Sequence, residues 1–419
     1  MRFVYNLFLH VFIPFILLRL YWKGRSLPAY RHRIAERFSL GKAASSPVDV
    51  WVHANSLGEV VAATPLIDAL LAKQWRVLVT TMTPTGSQQV KTRFGNQVEH
   101  QYVPYDLSWA VRRFYKRINP RIGIIMETEL WPNLIDQAKV ATIPLVLANA
   151  RLSDKSFKSY QKIRFFFKPV ISQLTIILAQ SELDAQRFIE LGASDSRVHM
   201  LGNMKFDLQT RVPNSQMYDT LKMAWGGSRP VVIAASTHDD EENQLLTRLS
   251  QLKAAIPDVI LLIAPRHPER FKTVYELSKR LGFNTGLRSL PETIGVNTDV
   301  IVLDSMGELL GFYQASDYAF VGGSLIPIGG HNVLEPIAVH VPVFCGPYMQ
   351  NSKSICADLC AANAMVLAPN ADGLIQMIIE MHHHPTQRAL QIKNATAVLE
   401  ANRGTVARHI AQIESVLFG

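Results

Sequence analysis

The residues best suited to chemistry are glutamates that stand just after short apolar runs of the chain. Glu59 closes the segment HANSLGE, and Glu127 and Glu129 lie two positions apart in METELWPNL. A carboxylate beside a bound hydroxyl can accept its proton, as a general base must. A glutamate in the first turn of a helix is also favoured by the helix dipole. From position alone, both interpretations of Glu59 stay open.

Glu127 and Glu129 favour a functional interpretation, because two carboxylates after a buried strand cost free energy unless they bind something. The alternative is a pair of acids at a helix start, ahead of Pro132 at an early helical position.

A further polar strand end, NARLS, follows at 149–153. Lys205, in GNMKFD, is a cation that either meets an anionic donor or contributes only surface charge.

Four polar loops follow apolar runs in the second half of the chain. These loops are residues 236–238 (Ser-Thr-His), 265–267 (Pro-Arg-His), 305–308 (Ser-Met-Gly-Glu) and 322–336 (GGSLIPIGGHNVLEP). Arg266 suits a bidentate contact with a phosphate or carboxylate. A helix predicted to start near Asn332 offers backbone amides to a phosphate, and Glu335 is placed to accept hydrogen bonds from ribose hydroxyls. A glycine-rich loop is also ordinary turn chemistry, but four polar strand ends together favour nucleotide binding.

Absent motifs disfavour further classes of function. The sequence has no GxxxxGK[ST], and no GxGxxG after the first strand of either half, which disfavours ATP hydrolysis and a dinucleotide cofactor. Asp239 and Asp240 open an acidic run, DDEE, that we interpret as a solvated helix start rather than a metal site. Cys345, Cys356 and Cys360 include no CxxC pair, and we interpret them as reduced thiols rather than a zinc site.

The elements that position these residues form two series of apolar runs separated by amphipathic stretches. The first series of predicted strands is 48–53, 77–81, 102–104, 122–126, 145–148, 176–179 and 198–201. The second series is 231–235, 259–264, 300–303, 318–321 and 341–344. Continuously apolar runs are typical of parallel strands buried on both faces. The pattern predicts two doubly wound, Rossmann-like α/β domains joined by a polar linker at 211–230, with ligands at strand ends and in the cleft between domains.

Residues 1–24 are predicted to form a membrane anchor. Residues 3–22 are dominated by Phe, Leu, Val and Ile, end in Tyr21 and Trp22, and precede a cluster of basic residues. This length suffices to cross the hydrocarbon core as a helix, and the positive-inside rule then keeps the remaining chain cytoplasmic. A helix lying in the interface is the alternative. A cleaved signal peptide is disfavoured, because its positive charge would precede the apolar run.

The length and net charge of the chain limit its number of domains and its kinds of partner. The 419 residues predict two domains. Lys and Arg number 43 against 34 Asp and Glu, a net charge of +9 that suits nucleic acid, an acidic metabolite or the anionic face of a membrane. No basic run with interleaved aromatic residues is present, which disfavours nucleic acid.

In combination and in order, seven motifs resemble those of the Kdo transferases, which move 3-deoxy-D-manno-octulosonic acid (Kdo) from CMP-Kdo to the lipid A precursor. The motifs are HANSLGE, METELWPNL, NARLS, GNMKFD, APRHPER, DSMGEL and GGSLIPIGGHNVLEP. The resemblance covers nearly the whole chain and implies the GT-B fold. It implies an acceptor-binding domain at 25–210, a CMP-sugar donor domain at 211–404 and a final helix at 405–419 that crosses back to the N-terminal domain.

Carried over residue by residue, the resemblance implies that Glu59 is the catalytic base and that Glu129 and Lys205 support the transition state. The CMP-binding positions that it implies are Pro265, Arg266, Met306, Gly307, Glu308, Asn332, Val333, Leu334 and Glu335. One position departs from the pattern, because the serine common in the family's first motif is Asn55 here.

The implied function is an inverting transfer of Kdo to the lipid A precursor (lipid IVA) in lipopolysaccharide biosynthesis, on the cytoplasmic side of the inner membrane. CMP is a single-phosphate leaving group of low basicity, so neither a metal nor another cofactor is expected. Arg31, Arg33 and Arg37 either meet the acceptor's phosphates or are surface charge. The alternatives are a GT-B enzyme with a UDP donor, a non-hydrolysing sugar epimerase, and a binding protein that keeps an inactive transferase fold.

Overall fold

The structure is a computed structural model that describes residues 2–41, 48–207 and 215–418. Its contacts divide the chain into two compact units. Unit 1 is Met1–Asp207 with Gly404–Gly419, and unit 2 is Leu208–Arg403. The predicted domain boundary between residues 210 and 211 and the start of the predicted linker lie outside the described residues.

Unit 1 is built on a parallel sheet. Its strands are β1 (Val50–His53), β2 (Val77–Thr81), β3 (Glu99–Tyr102), β4 (Ile122–Met126), β5 (Leu145–Ala150), β6 (Ile176–Ala179) and β7 (Val198–Met200). Its helices are α1 (Arg2–Ser26), α2 (Leu57–Ala72), α3 (Pro84–Phe94), α4 (Ser108–Ile118), α5 (Pro132–Val140), α6 (Asp154–Lys162), α7 (Arg164–Ile171), α8 (Glu182–Leu191) and the final helix α18 (Thr405–Phe418). The central strands are fully buried, because helices cover both faces of the sheet.

The strands of unit 1 lie in the order β3-β2-β1-β4-β5-β6-β7. The order reverses between β1 and β4, which pair in parallel with His53 opposite Ile125. Chains that leave the two strands on either side of such a reversal turn away to opposite faces, which opens a crevice at the carboxyl ends of the strands. The loop to Glu59 leaves β1 at this point, and the loop to Glu129 leaves β4.

The final helix packs within unit 1. Val406, Ile410 and Ile413 of α18 lie in the same hydrophobic core as the buried face of α2. Lys73, directly after α2, pairs with Glu414 at 2.6 Å. The chain therefore returns to its first unit after residue 403.

Unit 2 repeats the architecture with a second parallel sheet. Its strands are β8 (Val231–Thr237), β9 (Ile260–Pro265), β10 (Thr285–Leu287), β11 (Val300–Val302), β12 (Tyr318–Val321), β13 (Val343–Cys345) and β14 (Val366–Leu367). Its helices are α9 (Ser215–Ala224), α10 (Glu241–Leu246), α11 (Leu249–Ala255), α12 (Phe271–Arg280), α13 (Leu309–Gln314), α14 (Leu334–Ala338), α15 (Lys353–Ala361), α16 (Ala371–His383) and α17 (Pro385–Asn402). The order β10-β11-β9-β8-β12-β13-β14 reverses between β8 and β12, where Ala235 lies opposite Val321.

The two predicted α/β domains with parallel sheets are confirmed, and most predicted strands lie within two residues of the observed ones. The strand predicted at 102–104 is wrong in place, because β3 ends at Tyr102. Two edge strands, β10 and β14, were not predicted. Each has only two or three residues, and β10 contains Gly286, so neither produces a long apolar run.

Candidate active site

Glu59 occupies the third position of α2, at the carboxyl end of β1. Ser56 caps this helix, because its side chain accepts a hydrogen bond from the Glu59 amide. The Glu59 carboxylate in turn accepts from the Ser56 hydroxyl at 3.0 Å and from the Asn55 backbone amide at 2.8 Å. This reciprocal arrangement is a capping interaction, and it also fixes the carboxylate with only 9% of the residue exposed.

Glu129 lies beside this cap. Its Oε1 atom accepts a hydrogen bond of 2.9 Å from Asn55 Nδ2, and its Oε2 atom accepts one of 2.7 Å from Trp131 Nε1. Glu127 has a positive φ of 56°, so the chain turns sharply as it leaves β4. The loops after β1 and β4 therefore bring together the predicted carboxylates Glu59 and Glu129.

The electrostatics of this cluster favour proton acceptance at neutral pH. Burial, followed by the charge of Glu129, raises the pKa of Glu59 to about 8. Burial also raises the pKa of Glu129, against the lowering effect of hydrogen bonds from Trp131 and Asn55. A buried carboxyl whose pKa lies near the working pH is suited to general base catalysis.

Lys205 lies in a single 3-10 turn, Met204–Phe206, that packs against α2. The turn is held by Asn203 Oδ1, which accepts from the Lys205 amide, and by Asn149 Oδ1, which accepts from the Met204 amide at 3.0 Å. Asn149 of the NARLS motif thus supports the turn that carries Lys205. Among the described residues, no hydrogen bond or ion pair joins the Lys205 ammonium to Glu59 or Glu129.

Unit 2 contains a cavity of about 480 Å³ at the carboxyl ends of its central strands. Its lining includes seven of the nine predicted CMP-binding residues, namely Pro265, Arg266, Met306, Gly307, Glu308, Asn332 and Glu335. Val333 and Leu334 do not line it, because both side chains are buried in the domain core. The helix predicted near Asn332 begins two residues later, at Leu334.

Charged groups around the cavity are mostly paired. Arg288 binds Glu308 at 2.9 Å. Glu335 accepts a hydrogen bond of 3.0 Å from Asn332 Nδ2, and burial raises its pKa against the lowering effects of Asn332 and Arg266. Arg266 itself is exposed at the surface of the site. The arrangement suits a ligand that carries both hydroxyls and a negative charge.

The acidic run DDEE was interpreted as a solvated helix start, and the structure differs from this interpretation. Glu241 and Glu242 are fully buried, so the solvated interpretation is wrong for both. Glu241 accepts hydrogen bonds of 2.7–3.0 Å from the amides of three successive residues that follow β12, beginning with Gly323. Glu242 pairs with Arg270 at 3.1 Å. Only the fold could reveal this, because the carboxylate and the amides that it binds are more than 80 residues apart.

The glycines of this loop permit close packing around Glu241 and the preceding strand. A side chain at Gly322 would place its Cβ 2.6 Å from the Ser236 carbonyl oxygen, and one at Gly323 would meet the ring of His331 at 3.1 Å. Gly323 also has a φ of +67°, which favours glycine. The loop therefore seats His331 at the edge of the cavity.

A pair of histidines that the sequence did not single out stands at the reversal point of unit 2. The Nε2 atoms of His238 and His331 lie 2.8 Å apart, and their rings are parallel to within 3°. The ring of His267 meets that of His238 edge-on, at 5.2 Å between centroids. Burial, together with His238 and Arg266, lowers the pKa of His331 to about 4. Burial, followed by the charge of His267, also lowers the pKa of His238, so both rings favour the neutral form.

Two of the arginines predicted to meet acceptor phosphates or to be surface charge have other roles. Arg37 is buried, with 1% exposed, and its guanidinium lies 4.1 Å from the ring centre of Tyr102. Arg33 pairs with Glu36 at 2.7 Å and also donates to the His100 carbonyl. Because Arg37 is buried, neither contact with acceptor phosphates nor surface charge describes it, and it stabilises the packing of unit 1 instead. Within the described residues, no group of three or more His, Cys, Asp or Glu side chains is arranged to hold a metal ion.

Comparison with known proteins places this geometry in a family. Residues 32–208 match the family model of 3-deoxy-D-manno-octulosonic-acid transferase (kdotransferase). The chain is 40% identical to the 3-deoxy-D-manno-octulosonic acid transferase of Haemophilus influenzae, over 97% of this chain and 96% of that protein. It is 34% identical to the transferase of the same name from Bordetella pertussis, over 99% of each.

Solved structures show the fold. The chain is similar to a glycosyltransferase from Rickettsia africae, with a TM-score of 0.59 and 12% identity over 89% of this chain and 99% of that one. It is also similar to MnaA from S. aureus, in a structure with UDP, with a TM-score of 0.57 and 13% identity over 88% and 97%. The predicted GT-B fold is thereby confirmed. With the two parallel sheets and nearly full-length relatives in agreement, the chain belongs to the 3-deoxy-D-manno-octulosonic acid transferase family and is a glycosyltransferase.

Proposed function

We propose that this enzyme transfers Kdo from CMP-Kdo to a hydroxyl of the lipid A precursor (lipid IVA), with inversion at the anomeric carbon and Glu59 as the general base. The observation that carries the proposal is the buried Glu59 carboxylate, fixed at the carboxyl end of β1 by Asn55 and Ser56. A base held in this way needs little reorganisation when a hydroxyl arrives.

The step balances without another reactant. The acceptor oxygen forms a bond to the anomeric carbon as the bond from that carbon to the phosphate oxygen breaks. The hydroxyl proton passes to Glu59, and CMP leaves with the bonding electron pair. Glu129 and Lys205 are proposed to stabilise charge in the transition state.

The cavity of unit 2 is the proposed donor site. Arg266 is proposed to bind an anionic group of CMP-Kdo, and Glu335 to accept hydrogen bonds from the ribose. Glu308 is held by Arg288 and supports the loop at Met306 and Gly307. A monophosphate leaving group needs no cation to bridge two phosphates, so we propose that the reaction uses neither a metal nor another cofactor.

We propose that α1 attaches the enzyme to the cytoplasmic face of the inner membrane. It is the one helix in the described ranges that is long and apolar enough to cross a membrane. One side of α1 contacts the rest of unit 1, where Tyr5 donates to Asp106 at 2.8 Å and Asn6 accepts from Asn133 at 2.7 Å. The opposite side is exposed and apolar. A helix held along its protein in this way suits the membrane interface better than a spanning position.

The surface beside α1 suits an anionic glycolipid. Phe166 of α7 meets Tyr5 of α1 with 5.6 Å between ring centroids, so α7 adjoins the proposed anchor, and α6 directly precedes α7 in the chain. Five exposed cations lie on these two helices: Lys155, Lys158, Lys162, Arg164 and Lys168. We propose that they attract the acceptor's phosphates in place of the buried Arg37. This basic cluster is visible in the sequence, because its five cations lie within 14 positions.

The test is acceptor-dependent release of CMP from CMP-Kdo, compared between the wild type and Glu59→Ala. Loss of a general base lowers the rate by roughly 10²–10⁴-fold. Glu182→Ala, an exposed glutamate in the first turn of α8, is the matched control and retains the wild-type rate. A wild type that leaves CMP-Kdo untouched but cleaves a UDP-sugar refutes the donor. A Glu59→Ala variant of near wild-type rate refutes the base.

A further inference from the structure

The cavity of unit 2 has little positive charge for a doubly anionic ligand. CMP-Kdo, the donor proposed above, carries one negative charge on its phosphodiester and one on the carboxylate of its sugar. The residues that line the cavity all lie within 215–418, which the structure describes, and Arg266 is the only lysine or arginine among them. Glu308 and Glu335 add two carboxyl groups, of which Glu308 is matched by Arg288.

The His238–His331 pair can supply the missing charge. His331 lines the cavity, and its Nε2 atom lies 2.8 Å from that of His238. In the neutral pair, one Nε2–H donates to the other Nε2 atom. One further proton can be held on the Nδ1 atom of the donor ring without breaking this bond. A second cannot, because two Nε2–H groups would then face each other.

Burial opposes a positive charge on either ring, and nearby charged groups add to or reduce this effect. His267, Arg266 and Arg270 oppose a positive charge at the pair, whereas Glu242 favours it. The charge of Glu242 is matched by its ion pair with Arg270. Before the donor binds, burial and then these positive groups keep the pair neutral. An anion placed in the cavity adds an attractive charge and favours the protonated form.

We infer that the His238–His331 pair takes up one proton when the donor binds, and that the charged pair then stabilises the donor's second anionic group. This inference rests on the proposed CMP-Kdo donor. Because protonation and binding are linked, the affinity for CMP-Kdo falls as the pH rises through neutrality, by up to about tenfold per pH unit for one proton taken up.

The inference is tested by calorimetric titration of the full-length enzyme with CMP-Kdo at pH 7.5, in two buffers that differ in ionisation enthalpy. The difference in heat gives the number of protons taken up. We expect about one proton for the wild type, since only the Nδ1 atom of the donor ring can take a proton without breaking the bond between the rings. We expect almost none for His331→Gln and for His238→Gln, each with weaker binding. His340→Gln, an exposed histidine that contacts Thr396, is the matched control and keeps the wild-type uptake.

A second probe separates the two anionic groups. The methyl ester of CMP carries the phosphodiester charge without a carboxylate, and we expect it to bind with little proton uptake. Equal uptake with this ester overturns the role at the second anionic group. CMP-Kdo binding without uptake, or unchanged uptake in both folded histidine variants, overturns the inference and leaves the donor standing. Absence of CMP-Kdo binding overturns the donor assignment and the inference together.

Discussion

Asn55 and Glu129, 74 positions apart in sequence, are joined by a hydrogen bond of 2.9 Å from the Asn55 side-chain amide to the Glu129 carboxylate. The backbone amide of the same asparagine binds Glu59 at 2.8 Å. Asn55 therefore sets the distance between the proposed base and the carboxylate beside it. Its own Oδ1 atom is buried with no hydrogen-bond partner among the described residues.

The first prediction concerns this asparagine. Asn55→Asp replaces a donor to Glu129 with a carboxylate, and a hydrogen bond to a charged group contributes about 1.5–3 kcal/mol. We expect kcat/KM for CMP release to fall by roughly ten- to a hundredfold. Asn55→Ser keeps the backbone donor and adds no charge, so its loss is smaller. An aspartate variant as active as the wild type would show that Asn55 does not position the two glutamates.

The second prediction concerns the pH profile. The proposed base must be ionised, and the pKa of Glu59 is raised to about 8 by burial and then by Glu129. With CMP-Kdo saturating at each pH, we expect kcat/KM for the acceptor to rise with pH and to level off above about pH 8. Glu129→Gln removes a repulsive charge, so the rise moves to lower pH even though the maximal rate falls. Glu127→Gln removes a weaker repulsive charge, so it shifts the rise by a smaller amount. A wild-type rise centred near pH 4.5 contradicts the assignment.

The third prediction links the same carboxyl to stability. Folding favours the protonated form of Glu59, because its pKa rises from 4.5 to about 8. Its contribution to stability is therefore complete below about pH 4.5 and lost as the pH rises through 8. Glu59→Gln stays neutral and keeps a capping side chain, so it unfolds at a higher temperature than the wild type at pH 8.5 and at a similar temperature at pH 5.

The matched control for this stability effect is Glu182→Gln, which changes an exposed glutamate in the first turn of α8. Thermal unfolding is measured at both pH values. The control shows no added difference between them, because an exposed carboxyl resembles that of the unfolded chain. A Glu59→Gln variant that gains no stability at pH 8.5 means that the folded protein accommodates the Glu59 charge at no cost.

Much of the scaffold could be predicted from local sequence. The strands at 122–126, 176–179 and 318–321 were predicted with their observed bounds, because each is an apolar run between polar turns. Strand β10 could not be, since three residues at a sheet edge leave no periodic signal. The gathering of the polar loops could also be predicted, because parallel strands direct the loops that follow them to one edge of the sheet.

The pairings within the sites depend on the order of strands and could not be predicted. Reversal of order between β8 and β12 places His238 beside His331, 93 positions later. The same reversal brings Glu241 to the loop after β12. The run DDEE resembles any acidic helix start, so only the strand order shows that Glu241 points inward. Sequence identified the loops, and tertiary contacts determined their partners.

The fourth prediction concerns Glu241. Its removal in Glu241→Ala leaves three buried amides of the glycine-rich loop without an acceptor, at a cost of roughly 1–3 kcal/mol each. We expect a large decrease in unfolding temperature and weaker CMP binding, measured by calorimetry. Glu292→Ala, at an exposed glutamate of unit 2 that does not line the cavity, is the control and changes neither. Full stability in Glu241→Ala would show that water replaces the carboxylate.

The fifth prediction concerns attachment through α1. Its exposed side presents Phe8, Val11, Phe15 and Trp22, whereas Asn6 faces the protein. If α1 lies in the interface, Phe8→Ser combined with Phe15→Ser releases the enzyme from vesicles of anionic phospholipid, because about 25 cal/mol is lost per Å² of apolar surface withdrawn from the bilayer. CMP binding is unchanged, since the donor cavity lies in unit 2.

The control for α1 is Leu40→Ser, an exposed apolar residue outside the helix, which retains vesicle binding. Labelling of single cysteines at positions 8 and 11 separates the two modes of attachment in intact vesicles with the enzyme added outside. A helix in the interface leaves both cysteines at the depth of the outer headgroups, where a polar quencher in the external buffer reaches them. Protection of both from that quencher would mean that α1 leaves unit 1 and spans the bilayer, breaking the Tyr5–Asp106 hydrogen bond.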